Sequence, residues 1–111
     1  QNRLDNLVAI IDYNKIQAMD YLDKIVSVDP IADKWRAFGW EVREADGHSF
    51  ADLNKIFSHI PFVKNKPNMV IAHTTKGKGI SFMENEMKWH YFIVTDDLRE
   101  RAMQDLCRDI S

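Results

Sequence analysis

Residues 7–17 read LVAIIDYNKIQ. The opening part, Leu7 to Ile11, is short and wholly apolar, the composition of a strand buried on both faces of a parallel sheet. It stops on Asp12, Tyr13 and Asn14, a small polar cluster followed by a long irregular segment. Two further segments have strand character. Residues 40–44 (WEVRE) alternate apolar and polar side chains, and residues 69–73 (MVIAH) follow Pro67. Helix signals lie between and after them. Asp29 and Pro30 read as an N-cap and a first helical residue. Ala32, Trp35 and Phe38 then face inward, and Gly39 ends the helix. Ser49 caps a second helix on which Phe50, Leu53, Ile56, Phe57 and Ile60 fall at helical spacing, and Pro61 closes it. Thr95 or Asp96 opens a last helix with an acidic first turn and an apolar stripe of Leu98, Ala102, Leu106 and Ile110. The order β-α-β-α-β-loop-α predicts an α/β fold, a parallel sheet with flanking helices and right-handed crossovers. Residues 14–29 are expected to be a loop without a helix, long enough to suggest function or disorder.

The chain has 111 residues, 45% hydrophobic and 29% charged, the balance of a globular domain or a piece of a larger one. A net charge of −2 argues against non-specific nucleic-acid binding, which needs a basic face. The single cysteine, Cys107, excludes an internal disulfide and any cysteine-based metal cage, and suits a cytoplasmic setting. No apolar run approaches the ~20 residues that span a bilayer. Residue 1 is Gln and the first strand begins almost at once, so a chain cut from something longer is expected.

In an open parallel sheet, ligands bind beyond the carboxyl ends of the strands. Those ends carry Asp12-Tyr13-Asn14, Asp46-Gly47-His48 and the run from Thr74 to Gly79, TTKGKG. The last is a near miss to a P-loop: Ala72 replaces the first glycine, and Gly79 stands where Ser or Thr would meet Mg²⁺. Its backbone N–H groups and lysines can meet an anion, or it can be a flexible surface turn. Asn14 can offer an amide oxygen to a hard cation, or simply make an Asx turn. His90, between Trp89 and Tyr91, can donate to a phosphate, or belong to an aromatic cluster that anchors its loop. Glu84, Glu86 and Lys88 read as a solvated face, His59 as a surface residue and His73 as structural.

Four segments, LVAIIDYNKIQ, KWRAFGWEVREADGH, KPNMVIAHTTKGKGISFME and WHY, stand in an order and at a spacing that resemble transketolases. The resemblance covers residues 4–103. It is to the later part of the thiamine-diphosphate-binding domain, especially that of the N-terminal subunit of split, two-chain enzymes. It implies an incomplete thiamine-diphosphate domain over residues 1–111, lacking the upstream Gly-Asp-Gly half. The implied cofactors are thiamine diphosphate and Mg²⁺. By resemblance, Asn14 supplies a side-chain oxygen and Ile16 its main-chain carbonyl to the metal. His90 reaches the cofactor diphosphate and the donor substrate, a catalytic as well as a binding role. The Asp46-Gly47-His48 turn is structural.

The implied activity of the parent protein is transfer of a two-carbon ketol unit from a ketose phosphate to an aldose phosphate. The implied setting is the pentose phosphate pathway of the cytoplasm. The implied partners are sugar phosphates and a pyrimidine-binding transketolase domain or subunit, in a homodimer or heterotetramer, with no nucleic acid and no membrane. Only thirteen residues precede Asn14, so the metal-binding Asp of Gly-Asp-Gly is not on this chain. The catalytic Glu of the pyrimidine domain is not here either, and the chain alone is expected to be inactive. Two alternatives stay open: a 1-deoxy-D-xylulose-5-phosphate synthase, which also carries a KGKG loop, and a degenerate α/β domain that serves only assembly. A sheet of three strands also leaves an unpaired edge that invites association.

Overall fold

A computed structural model describes residues 3–17 and 20–108. The chain divides into two compact units. The first holds the described residues up to Asn14 together with Ser27–Thr74; the second holds those of Lys15–Val26 and from Thr75 onward.

The first unit is built on a parallel sheet of β1 (Val8–Tyr13), β2 (Glu41–Asp46) and β3 (Asn68–His73), in the order β1-β3-β2. The register sets Tyr13 and Asp46 on either side of His73. The central strand is the core: Met69, Val70 and Ile71 are at most 1% exposed. Helices α2 (Ile31–Ala37) and α3 (Phe50–Phe57) pack on β2. The Ser49 hydroxyl caps α3 by accepting from the Asp52 N–H at 3.2 Å, as its position before an apolar run predicts. Gly39, with φ +87°, ends the preceding helix in the left-handed region where glycine has no steric penalty.

Several expectations for this unit are corrected. First, β1 is not buried on both faces. It lies at the side of the sheet, and Leu7 and Ile10 are 41% and 58% exposed. Second, Pro30, not Asp29, occupies the cap of α2, with no side-chain cap bond. The Asp29 carboxylate is taken by the Tyr13 hydroxyl at 2.8 Å. Third, Phe38 does not face inward; it is the C-cap residue of α2 and is 82% exposed. Trp35 is half-buried and meets Trp40 edge to face, ring centroids 5.0 Å apart. Fourth, Ile60 lies beyond the end of α3, and β2 runs on past Glu44 to Asp46.

In the second unit, α1 (Leu22–Ile25) and an antiparallel bridge between Ile16 and Tyr21 correct the expectation that residues 14–29 hold no helix. A helix of one turn with no side-chain cap leaves no periodicity to read. A 3₁₀ turn spans Met87–His90, and α4 spans Asp96–Arg108. The Thr95 hydroxyl accepts from the Leu98 N–H at 3.4 Å, so of the two residues expected, Thr95 and Asp96, Thr95 is the cap. Leu98 and Ala102 are half-buried and Leu106 is 41% exposed, while Ile110 lies outside the described residues. No helix among the described residues is long and apolar enough to cross a membrane.

Candidate functional site

The carboxyl edge of the sheet gathers polar side chains, as strand order predicts. Thr74 donates its hydroxyl to the Asp12 carboxylate. His73 Nε2–H donates to Glu44 at 2.8 Å, and the Tyr13 ring stands edge-on to the His73 imidazole at 5.6 Å. Tyr13 is 7% exposed, and its hydroxyl is held above its ordinary pKa, first by burial and then by the hydrogen bond and negative charge of Asp29. Asn14 follows directly on β1 and is half-buried, so it stands at the end of a strand whose last residue is in the core.

The Asp46-Gly47-His48 turn is structural, and its geometry shows why. The Asp46 carboxylate accepts from the His48 N–H at 2.9 Å, and the Gly47 N–H donates to the His73 carbonyl at 2.8 Å. A Cβ on Gly47 would stand 2.5 Å from the Thr74 methyl, 3.1 Å from the His73 carbonyl and 3.2 Å from the Ala72 Cβ. Only glycine lets the end of β2 approach β3 this closely.

The other two predicted site residues, Ile16 and His90, belong to the second unit. The bridge at Ile16 is closed through its neighbours: Gln17 N–H donates to Asp20 at 2.9 Å, and Leu22 N–H to the Lys15 carbonyl at 3.0 Å. Lys15 has φ +63°, an uncommon left-handed conformation for a residue with a Cβ. Such outliers cluster where a site needs a particular backbone direction. His90 ends the 3₁₀ turn, is exposed, and meets the Tyr91 ring edge-on at 4.8 Å. The aromatic cluster expected around His90 exists beside it. Trp89 packs on Phe82 at 5.3 Å and on Phe92 at 5.9 Å, and its indole N–H donates to the Phe82 carbonyl at 2.7 Å.

Three backbone donors of the glycine-lysine segment are used internally. Lys78 N–H donates to Thr75 at 3.2 Å, Ile80 N–H to Gly77 at 3.2 Å, and Gly79 N–H to the Glu84 carboxylate at 3.0 Å. Glu84, read from sequence as part of a solvated face, is half-buried, and Lys78 pairs with it at 3.6 Å. A Cβ on Gly77 would stand 2.5 Å from the Met83 carbonyl, and φ there is +71°. At Lys78, Gly79 and Ile80 the loop is a folded turn whose N–H groups are already taken. Sequence reasoning missed Glu84, because a carboxylate that satisfies a loop N–H has no local signature. Asn68, buried at the start of β3, escaped it too.

An Asn amide oxygen and a peptide carbonyl, the donor types expected of Asn14 and Ile16, are hard oxygen ligands of the kind Mg²⁺ takes. Among the described residues, no three His, Cys, Asp or Glu side chains gather as a metal cage.

The three strands make an open parallel α/β sheet whose carboxyl edge is where folds of this class bind their ligands. The family model "Transketolase, thiamine diphosphate binding domain" matches residues 1–106, and the chain belongs to that family. It is 41% identical over 110 residues to a subunit of the apulose-4-phosphate transketolase of Phocaeicola vulgatus, covering 99% of this chain and 39% of that protein. It is 38% identical over 104 residues to 6-deoxy-6-sulfo-D-fructose transketolase subunit SqwG of a Clostridium species, covering 94% of this chain and 38% of that protein. The crystal structure of transketolase from Campylobacter jejuni superposes with a TM-score of 0.84 at 26% identity, over 95% of this chain and 16% of that one. The chain thus spans well under half the length of the relatives it matches.

Proposed function

We propose that this chain is the later part of the cofactor-binding domain of a transketolase, and that its parent transfers a two-carbon ketol unit from a ketose phosphate to an aldose phosphate. The observation that carries the reading is the family match over residues 1–106, which includes Asn14, Ile16 and His90. The relatives named as subunits favour a split parent whose partner subunit brings the pyrimidine-binding domain, in a cytoplasmic homodimer or heterotetramer of the pentose phosphate pathway type.

In this reading, bound thiamine diphosphate supplies the carbon nucleophile and the electron sink of the transfer. The protein's part is anchorage. Asn14 gives its side-chain oxygen and Ile16 its carbonyl to a Mg²⁺ that offsets the diphosphate charge. An Asp from the Gly-Asp-Gly turn expected upstream completes the protein's ligands. His90 donates to the diphosphate and meets the donor substrate, and its exposed position leaves it open to both. The left-handed Lys15 turns the backbone between the two metal-ligating positions.

In the complete enzyme, Asn14→Ala is expected to weaken Mg²⁺-dependent binding of thiamine diphosphate at least about tenfold. Intrinsic fluorescence titrated with the cofactor at several Mg²⁺ concentrations reads this without relying on turnover. An unchanged metal requirement would remove Asn14 from the ligand set.

A further inference from the structure

The 3₁₀ turn that carries His90 is four residues long. At its two ends the Trp89 N–H donates to the Glu86 carbonyl at 3.3 Å, and the Tyr91 and Phe92 N–H groups donate to the Lys88 carbonyl at 3.1 and 3.0 Å. Turns of this kind have poor hydrogen-bond geometry and do not hold a direction by themselves. His90 is exposed at its end, and the side chain just before it is the anchored one.

That side chain is Trp89. Its indole N–H reaches the Phe82 carbonyl at 2.7 Å, and its ring lies against Phe82 and Phe92. Phe82 is itself fixed by α4: the Arg101 guanidinium sits over its ring at 5.0 Å. Ser81, the preceding residue, gives both its N–H (2.9 Å) and its hydroxyl (2.7 Å) to one oxygen of Asp105. A continuous physical path therefore runs from α4 through Ser81 and Phe82 to Trp89, and the next residue in the chain is His90. The path uses directional bonds at two of its steps, which fixes orientation as well as distance.

We infer that Trp89 is a positioning residue for His90, acting through its indole N–H bond to Phe82, and that α4 sets the imidazole's place through Asp105 and Arg101. The inference rests on the reading of His90 as a cofactor- and donor-contacting group.

The test is a double-mutant cycle in the complete enzyme, with kcat/KM for a ketose phosphate donor as the readout. Trp89→Phe keeps an aromatic ring and removes only the N–H and the second ring. It is expected to lower kcat/KM about five- to tenfold, the effect of one lost directional hydrogen bond. In the His90→Ala background the same change is expected to cost less than about twofold, because there is nothing left to position. A purely structural role for Trp89 would cost the same factor in both backgrounds, and that result overturns the inference while leaving the function proposal intact. If His90→Ala alone leaves donor kinetics unchanged, the role of His90 falls, and the positioning role falls with it. Should Trp89→Phe fail to fold, Ser81→Ala takes its place in the same cycle, since it keeps the backbone bond to Asp105. The same criterion of coupling to His90 then decides.

Discussion

The two ends of the sheet are finished in opposite ways. At the amino end, β3 begins with Asn68, a polar side chain with 0% exposure. Its amide oxygen accepts from the Phe62 N–H at 2.8 Å, and its amide nitrogen donates to the carbonyls of Asp5 at 2.7 Å and Leu7 at 3.0 Å. One side chain thus satisfies three backbone groups on two separate segments and closes that edge. At the carboxyl end, the polar groups pair with one another near the surface: Thr74 with Asp12, and His73 with Glu44. Glu44 and His73 keep close to half of their side-chain surface in solvent. A buried, fully satisfied polar group specifies structure. Exposed polar groups in changeable pairs leave room for a ligand, which is where open α/β sheets bind one.

The largest break in this comparison comes at Asn68. Asn68→Ala orphans the Phe62 N–H and the Asp5 carbonyl and leaves a cavity, a loss of about 3 kcal/mol. Asn68→Asp is expected to be no milder. It keeps the acceptor for Phe62 but turns a carboxylate oxygen toward two carbonyls in a buried place. Equilibrium denaturation followed by circular dichroism separates the cases. A loss under about 1 kcal/mol for either variant, the scale of one ordinary hydrogen bond, would mean the amino end is not closed by this side chain.

Gly47 at the other end gives a smaller effect with a built-in rescue. Gly47→Ala pushes its new methyl at the Thr74 methyl and the His73 carbonyl, with an expected cost of about 2 kcal/mol from overpacking. Thr74→Ser removes the methyl at 2.5 Å while keeping the hydroxyl that donates to Asp12. The double variant should therefore recover at least about 0.5 kcal/mol, the lower range of coupling between contacting residues. Additive losses would show that the backbone carbonyl, not the methyl, sets the limit.

The contrast between the ends also explains what the sequence disclosed. Local chemistry was readable. Ser49 before an apolar run, Gly39 after one and Thr95 before α4 each act within a few residues, and the alternation of strands and helices along the chain followed from their spacing. What depends on distant partners was not readable. Asp29 has the composition of a helix cap, but a tyrosine sixteen residues away claims its carboxylate. The runs VAII and MVIA look alike, yet one lies at the side of the sheet and the other at its centre. Asn68 gives no sign in sequence that three backbone groups converge on it. For the candidate site, the gathering of strand ends at one edge was legible from topology alone. The individual roles of Asn14, Ile16 and His90 came only from resemblance, because a strand-end Asn and a loop His are common in folds that bind nothing.

The smallest expected effect concerns Tyr13, which sits at the carboxyl end but is built like the amino end, buried and satisfied. Tyr13→Phe keeps the ring against His73 and removes the hydroxyl bond to Asp29, whose exposed carboxylate turns to water. The cost near neutral pH is about 1 kcal/mol. The pH dependence carries the sharper signature. Tyr13 holds its proton to higher pH in the folded chain than the ordinary value of 10.0 in the unfolded one. Above about pH 10 the unfolded state therefore binds fewer protons than the folded state, and stability falls as pH rises. Below that value the contribution is fully present. Denaturant midpoints measured from pH 8 to pH 11 should fall more steeply for the wild type than for Tyr13→Phe, so the gap between them narrows at the alkaline end. A constant gap would mean that the Tyr13 hydroxyl titrates alike in both states and that the bond to Asp29 does not persist in solution.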